Sequence, residues 1–548
     1  YGSFTAASLE HGGYANNDAR GKSDGDRDTV AWRASLVRSW DSGLSVALAM
    51  DLSEDRPETS RTPVLATSSD VAPGEPTPKS ADPFRVNADF NGLNKLAVSG
   101  ASAHVSLPVN DEISLKSITS YRGLKYQSHL DLDATDRGTF GVFVDQTQSQ
   151  YSQELQMNYE GGPYKIVLGY YVLRENDENE NGIYAPEYTL NGAAATAFNL
   201  PDGTPFPYST NSLNDQVTSS EAFYVDVAIE LYEKVNMSIG MRRTDETKVL
   251  KRAYRELFQS QPPYKASVMI GGRGNNFDAG MTRSYSDFSP RLTVDYEFSD
   301  TVNGYVSYSQ GFKAGGFDGR ADTVAEIRPY RPEKLAAREV GLKGSADGEV
   351  PVVFNIALFS NDYRDLQVSS FGANSTGGFQ AVFSNAARAS FTGLEIEFTA
   401  HLSDDLRLDM MLGTLNASYG SFIQDGENLA QRLTPVNAPS RVARVAAQYE
   451  RSFGSGLDAV FSLGLNHRGE VYPTVSSSEA VHQSAYTLID MAATLKMNEG
   501  RREVKFVGRN LRDKAYINHA FDLSANPGYQ LAYYGAPMNY SFSYIVRM

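Results

Sequence analysis

The segment from Asp177 to Gly182 offers oxygen ligands in a pattern that a calcium ion could use. Asp177, Asn179 and Asn181 place side-chain oxygens at alternate positions before a glycine, as a calcium-binding loop begins. The pattern then fails, because the position that needs a bidentate glutamate holds Tyr188. The segment is therefore either a calcium site, the only cofactor that the sequence suggests, or a solvated loop.

Arginine and tyrosine recur together in the segments between the predicted strands. An arginine donates charge-assisted hydrogen bonds to anions and stacks on aromatic rings, and tyrosine adds a ring and a hydroxyl group. This combination suits an anionic ligand that carries aromatic groups. The alternative is that these side chains only furnish solvated loops. The candidate ligand-binding residues of this kind are Tyr188, Arg252, Tyr254, Arg255, Tyr330 and Arg331.

Motifs for catalysis or for structural metal binding are missing from the sequence. The seven histidines are scattered, with no HExxH pair and no acidic partner at metal-ligand spacing. Neither a G-x-S-x-G nucleophile elbow nor a phosphate-binding G-x-x-x-x-G-K-[ST] loop occurs. The sequence has no cysteine, which excludes disulfides and thiolate metal sites. We therefore predict that the protein is not an enzyme.

Charge and hydropathy narrow the class of protein further. The formal net charge is -16 at pH 7, which argues against a nucleic-acid partner because phosphate binding needs clustered Lys and Arg. The mean hydropathy is -0.39, and no apolar run approaches the ~18 residues of a transmembrane helix. A membrane β-barrel remains compatible with these values, since its lumen-facing residues dilute the hydropathy of each strand.

The end of the chain shows the kind of element that positions these side chains. Tyr540, Phe542, Tyr544, Val546 and Met548 alternate with smaller or more polar residues, which is the period of a strand with one apolar face. A strand at the end of the chain suits a barrel closed by its final segment, because closure leaves no unpaired edge in lipid. A soluble sandwich or propeller is the alternative, since its strands alternate as well.

The same alternation recurs along the chain, and its connections are of two kinds. Short polar turns, such as Glu160 to Pro163, alternate with long connections rich in Gly, Pro, Asn, Asp and Ser. The longest run from Leu52 to Leu96, Glu175 to Ser219 and Thr244 to Ser286. We predict an all-β, antiparallel transmembrane barrel of about 20 strands, each about ten residues long, with short periplasmic turns and long extracellular loops. The first strand lies near Gly2 to Leu9, and the C-terminus is periplasmic.

Several segments resemble TonB-dependent outer-membrane receptors of the iron-complex type. The most specific runs from Tyr305 to Arg320 (YVSYSQGFKAGGFDGR) and is followed by an Arg-Pro-Glu triplet and a returning strand at Arg338 to Lys343. Shorter matches follow the family order along the chain: SLKSITSYR from 114, SQELQM from 152, NDYRDLQV from 361, TGLEIEF from 392 and FVGRNLRDKAY from 506. The resemblance adds Phe312, Lys313 and Arg320 as candidate ligand-binding residues, although the nearby glycines also fit a strand bend.

The resemblance implies a receptor that takes up a scarce nutrient, above all a ferric siderophore or another iron complex. Its implied partners are outer-membrane lipid, the small ligand, and TonB acting through a plug domain. We expect a monomer in the outer membrane of a Gram-negative cell. The alternatives are a passive porin-like channel and TonB-dependent uptake of a carbohydrate or cobalamin.

Two features depart from the family pattern. The family usually has an N-terminal plug behind a TonB box and a barrel of about 22 strands, whereas no segment of this sequence resembles the plug or the box. We therefore expect residues 1–548 to form the barrel domain alone, without the plug and the first two strands. The closing strand, which ends in Met548 where the family favours Phe, is then expected to pair imperfectly with the opening strand.

Overall fold

The structure is a computed structural model that describes residues 1–547 apart from 60–61, 69–81, 90–91, 188, 191–200, 202, 206–207, 258–276, 322–323, 325–326, 374–378, 425 and 526–527. Within these residues the main sheet holds 21 antiparallel strands. All of them except Glu427–Asn428 are long. The long strands are β1 (Gly2–His11), β2 (Arg27–Ser39), β3 (Ser45–Asp55), β4 (Leu93–Pro108), β5 (Ile113–Asp131), β6 (Gly141–Gly161), β7 (Tyr164–Ala185), β8 (Tyr208–Tyr232), β9 (Val235–Leu257), β10 (Phe277–Ser299), β11 (Val302–Lys313), β12 (Glu333–Ala346), β13 (Val352–Ala373), β14 (Phe379–Ser403), β15 (Leu406–Gln424), β16 (Arg441–Ser452), β17 (Leu457–Arg468), β18 (Tyr486–Met497), β19 (Arg502–Arg509) and β20 (Asn539–Val546).

These strands form a meander, in which each strand pairs with the next one along the chain. The first ladder joins β1 to β2, from Gly2 opposite Leu36. The last joins β19 to β20, ending with Arg502 opposite Val546. Among the described residues, no ladder joins β1 to β20. The prediction of an all-β antiparallel barrel with about 20 strands is confirmed, and its opening strand lies where the sequence places it.

Short turns and long connections alternate as predicted. At one end of the sheet, the short-turn end, every connection between long strands has at most five residues. Four of these connections have two residues, and the one between β6 and β7 consists of Gly162 and Pro163. Gly162 has a φ of +55°, a conformation that a residue with a Cβ adopts only with strain. The other end carries the long connections and is called the loop end.

The strands reach much further toward the loop end than the sequence suggests. Strands β6 to β10 are 21 to 25 residues long, whereas we predicted about ten. Large parts of the predicted connections at 175–219 and 244–286 are therefore strand, and their assignment as loop is wrong. The physical reason is that these extensions carry polar residues on both faces, so no regular apolar alternation marks them.

The outer face of the sheet carries a belt of exposed large apolar side chains. Positions of the opposite parity face the lumen and carry ion pairs, such as Arg122 with Asp51 at 2.5 Å and Arg291 with Asp226 at 2.7 Å. An apolar exterior with a charged interior is the pattern that a barrel in lipid requires. The belt includes Leu36, Met50, Tyr121, Leu155, Phe223, Phe288, Val306, Leu358 and Phe542.

Glycines on the lumen side make room for aromatic rings from the neighbouring strand. A Cβ at Gly169 on β7 would overlap the ring of Tyr224 on β8, and Gly341 on β12 is covered by the ring of Tyr305 in the same way. Such pairs let a large ring lie flat across the strand beside it. The ring then covers backbone that the glycine leaves bare.

A three-stranded cap sheet lies at the loop end. Tyr529–Tyr534 pairs on one side with Ile517–Leu523 and on the other with Val64–Ser68. Leu531 and Tyr529 are buried in it against Leu65 and against Leu132 from the connection after β5. The connection after β3 is thereby joined to the connection before β20, so the cap sheet links strands near the two ends of the meander.

The remaining elements are short. Lys22–Asp24 and Arg85–Val86 flank Ala15–Asn17, Thr189–Leu190 pairs with Thr204–Pro205, Gly316–Phe317 pairs with Pro329–Tyr330, and Glu479–Val481 forms a turn of 3-10 helix. Within the described ranges, no helix is long and apolar enough to cross a membrane.

Candidate functional site

A chamber of about 510 Å³ opens on the lumen side of the sheet at the loop end. Its wall is formed by the extensions of β5 to β9. The connection after β11 contributes Phe317 and Arg320, and the cap sheet contributes Phe521 and Leu523. A volume of this size lies within the range of small-molecule sites, which combine apolar walls with a few placed polar groups. We call this cavity the loop-end chamber.

Side chains with amide and hydroxyl groups dominate the polar wall of the chamber. They alternate along two paired strands, because every second residue of a strand faces the same side. The amide of Gln146 donates to Asp177 at 2.7 Å, and Asn181 donates to Asn179. The polar lining residues are Asp177, Asn179 and Asn181 on β7 and Thr210, Ser212, Asn214 and Gln216 on β8.

The segment proposed as a calcium loop is therefore a strand. Asp177, Asn179 and Asn181 pair with Gln148, Gln146 and Val144 in an unbroken ladder. A calcium loop has to curl so that its oxygens converge on the ion, whereas an extended strand spreads them along one face. The loop assignment is wrong for this reason. Among the described residues, no group of three or more His, Asp or Glu side chains is arranged to hold a metal ion.

Buried carboxylates organise the connections next to the cap sheet. Asp133 accepts hydrogen bonds from the backbone amides of Thr135 and Phe140 at 2.9 and 2.6 Å and from the Thr139 hydroxyl at 2.7 Å. Burial raises the pKa of Asp133. Burial, followed by repulsion from Asp133, raises the pKa of Asp89 to about 6. Both carboxylates lie in connections outside the barrel strands.

Arg252 fixes the connection after β11 to the chamber wall. Its side chain is 2% exposed, and it donates to Asn214 at 2.7 Å and to Ser212 at 3.0 Å on β8. It also donates to two backbone carbonyls of the connection, those of Gly319 and Ala321, the latter at 2.6 Å. Arg252 thus lies directly behind the chamber, and its hydrogen bonds hold protein groups in place.

Tyr254 lies beside this arginine. Its ring is 1% exposed, lines the chamber and stacks on Phe277 with centroids 5.4 Å apart. The guanidinium group of Arg252 lies 5.6 Å from the centre of the Tyr254 ring. The two residues thus form one packed unit in the wall, in which the tyrosine supplies an apolar surface.

Three of the predicted residues gather around the ring of Phe383. The Lys313 ammonium lies 5.7 Å and the Arg320 guanidinium 6.0 Å from the ring centre, and the ring of Tyr330 packs at 4.7 Å. Asp318 holds the group together, because its carboxylate accepts from the Phe383 backbone at 2.7 Å and from the Arg320 backbone at 3.1 Å. Of these residues, Arg320 lines the chamber.

The other predicted residues are not brought to the chamber. Arg255 has the parity of the exposed outer face and binds Asp278 at 2.7 Å, and Phe312 has the parity of the exposed Val306. Arg331 is 69% exposed and pairs with Asp365 at 2.5 Å. Tyr188 lies outside the described residues. Whether any of these residues binds a ligand stays a prediction.

Sequence reasoning missed much of the chamber. Asn214, Gln216, Phe521 and Leu523 line it and lie outside the quoted motifs, and Phe317 lines it from within the motif at Tyr305 to Arg320 without having been singled out. The one available signal was the alternation of amide and hydroxyl side chains along 210–216, which lies in a segment assigned as loop.

Comparisons with known proteins agree with this architecture. The family model described as TonB dependent receptor-like, beta-barrel, matches residues 6–511. The ferrioxamine receptor of Yersinia enterocolitica is 25% identical over 248 residues, which cover 44% of this chain and 32% of that protein. The ferrichrome outer membrane transporter/phage receptor of Escherichia coli K12 is 25% identical over 270 residues, covering 47% and 34%. The chain thus spans about a third of the length of these curated relatives.

Solved structures show the same fold. The ferric yersiniabactin uptake receptor of Yersinia pestis superposes with a TM-score of 0.76 at 16% identity, covering 98% of this chain and 74% of that one. A siderophore receptor of Acinetobacter baumannii gives a TM-score of 0.71 at 13% identity, covering 99% and 77%. At these identities the likeness concerns the fold.

Proposed function

Because the chain belongs to the TonB-dependent receptor-like β-barrel family, we propose that it forms the barrel of an outer-membrane receptor that takes up a ferric siderophore or another iron complex. The observation that carries the proposal is the loop-end chamber, whose wall combines amide, hydroxyl and aromatic groups. The two curated relatives are, by name, receptors for ferrioxamine and ferrichrome, which supports an iron complex over a carbohydrate or cobalamin.

The remaining parts of the proposal concern orientation and partners. The loop end faces the outside of the cell, so the short-turn end and the C-terminus face the periplasm. The apolar belt contacts outer-membrane lipid. The protein is a monomer in the membrane. TonB supplies energy through a plug domain of the complete receptor, and the assignment of residues 1–548 to the barrel alone stays a prediction. The proposal includes no catalytic step, and calcium binding is not part of it.

Uptake of iron tests the proposal. The complete gene is expressed in a Gram-negative host that lacks its own siderophore receptors, and growth is measured with single ferric complexes as the iron source. The expected result is growth on at least one complex that requires both the gene and a functional TonB. Growth that persists without TonB would favour the passive porin-like channel. Absence of growth on every complex, with the protein folded in the outer membrane, would refute the proposal.

A further inference from the structure

The charge of the loop-end chamber differs from the charge that its sequence suggested. Among its described lining residues, the charged side chains are Asp177 and Arg320. Arg320 already has a carboxylate beside it, because its Nε lies 3.4 Å from Asp318, and its Nη1 donates to Ser369 at 2.9 Å. Asp177 is hydrogen-bonded by the neutral amide of Gln146. The cation of the lining is thus compensated, whereas no cation pairs with its carboxylate among these contacts.

The other predicted arginines do not direct their guanidinium groups at a ligand in the chamber. The guanidinium of Arg252 is buried behind the wall and binds protein carbonyls and side chains. Arg255 and Arg331 bind Asp278 and Asp365 away from the chamber. An anionic ligand was predicted from these arginines, and in the structure their guanidinium groups bind other protein groups.

The lumen wall next to the chamber is acidic. Glu175 precedes Asp177 on the same face of β7, close enough to interact with it and with Glu246 and Lys248 on β9. Lys248 lies 3.4 Å from Glu246. Three carboxylates and one ammonium group therefore lie on this part of the wall, and the sum remains one negative charge when the Arg252 guanidinium behind it is included. A ligand that enters the chamber meets a field that attracts positive charge and repels negative charge.

The charge of a ferric complex depends on its chelating groups. Three hydroxamates, each a monoanion, balance Fe³⁺ and give a neutral complex, which becomes a cation if the chelator also carries an amine. Three catecholates give a trianion. Hydroxamate backbones are also rich in amide and carbonyl groups, which match the amides of Asn179, Asn181, Asn214 and Gln216 as hydrogen-bond partners.

We propose that the loop-end chamber selects neutral or cationic ferric hydroxamate complexes over anionic catecholate complexes. In this proposal the carboxylate of Asp177 makes binding depend on the charge of the ligand. This inference rests on the proposed uptake of iron complexes and names the chemical class of the substrate. Asp177 is a specificity-determining residue here, since it faces the chamber and its carboxylate is free of a cationic partner among the contacts described above.

Three ferric complexes on two scaffolds test the inference. The first is a linear trihydroxamate with a free terminal amine, a monocation. The second is the same complex acetylated at that amine, which is neutral. The third is a tris-catecholate trianion. Binding of each complex to outer-membrane vesicles that contain the complete receptor is measured by equilibrium filtration of the radioactive iron. The expected result is that both trihydroxamates bind at least about tenfold more tightly than the tris-catecholate.

Two variants assign the effect to one carboxylate. Asp177→Asn should weaken binding of the monocation about fivefold and leave the neutral complex unchanged. Asp41→Asn removes the same charge from an exposed turn at the short-turn end and should change neither. Tighter or equal binding of the tris-catecholate would overturn the inference and leave the proposed function standing. Failure of the folded receptor to bind any ferric complex would instead count against the proposed function itself.

Discussion

Replacement of Arg252 by methionine should release the connection after β11 from the chamber wall. Methionine keeps most of the apolar stem of the side chain and removes every donor. The backbone carbonyls of Gly319 and Ala321 would lose charge-assisted hydrogen bonds, each worth about 1.5–3 kcal/mol net. Relief of the buried charge offsets part of this loss. We therefore expect the local opening free energy of the connection to fall by about 2–3 kcal/mol.

Hydrogen exchange measures this local change directly. A loss of about 2 kcal/mol corresponds to roughly 30-fold faster exchange when the amides exchange through local opening. The measurement is exchange detected by mass spectrometry on peptides that cover 314–321, with the protein in detergent micelles. The matched control is Arg255→Met, since its guanidinium binds Asp278 on the outer face and should leave those peptides unchanged. Unaltered exchange in the Arg252→Met protein would refute the role of Arg252 in fixing the connection after β11 to the chamber wall.

Three further predictions concern the barrel and its cap. Gly169→Val should lower the temperature at which the barrel unfolds, because the valine side chain would overlap the ring of Tyr224. The measurement is the loss of the fast-migrating folded form in electrophoresis after heating. Gly311→Ala should leave this temperature unchanged, because a Cβ at Gly311 would meet open space. The raised pKa of Asp89, about 6, means that the folded protein binds a proton more tightly than the unfolded chain does. The protection factors of the cap amides, which are corrected for the pH dependence of intrinsic exchange, should therefore be larger at pH 5 than at pH 7.5, and Asp89→Asn should flatten this dependence. Leu531→Ala, at a fully buried position, should cost about 2–5 kcal/mol, measured as faster exchange across the cap sheet; exchange equal to that of the unchanged protein would contradict its place in the core.

The number and order of the strands could be predicted because lipid imposes a strict pattern on them. An apolar outer face must alternate with a wetter inner face, and the turns at one end are short enough to be recognised by composition. The same reasoning explains why the predicted strand length of about ten residues was wrong for β6 to β10. Beyond the apolar belt, β8 presents Asn214 and Gln216 to the chamber and Asp215 to the other side, so both faces are polar. A sequence with polar residues on both faces of a strand resembles a loop.

The candidate site was harder to predict because its parts converge from distant connections. Phe317 comes from the connection after β11 and Phe521 from the cap sheet, and both reach the same chamber. Residue type alone also could not distinguish solvent-exposed arginines from buried arginines that hydrogen-bond to other parts of the protein. Arg252 and Arg331 are the same residue type and each lies within two residues of a tyrosine, yet one is 2% exposed and the other 69%. Their difference depends on contacts between segments far apart in the chain.

The spacing of Asp177, Asn179 and Asn181, which suggested a calcium site, also fits a strand of a barrel. Oxygen-bearing side chains at alternate positions fit the start of a calcium loop, but they also fit one face of a strand, whose period is two. Gly182, expected as the turn of such a loop, lies in a ladder where a Cβ would overlap the carbonyl oxygen of Thr210 on β8. The glycine therefore permits close approach of two strands. In a chain dominated by strand periodicity, alternating Asp and Asn should be interpreted first as the wall of a water-filled cavity, and here that wall forms the loop-end chamber.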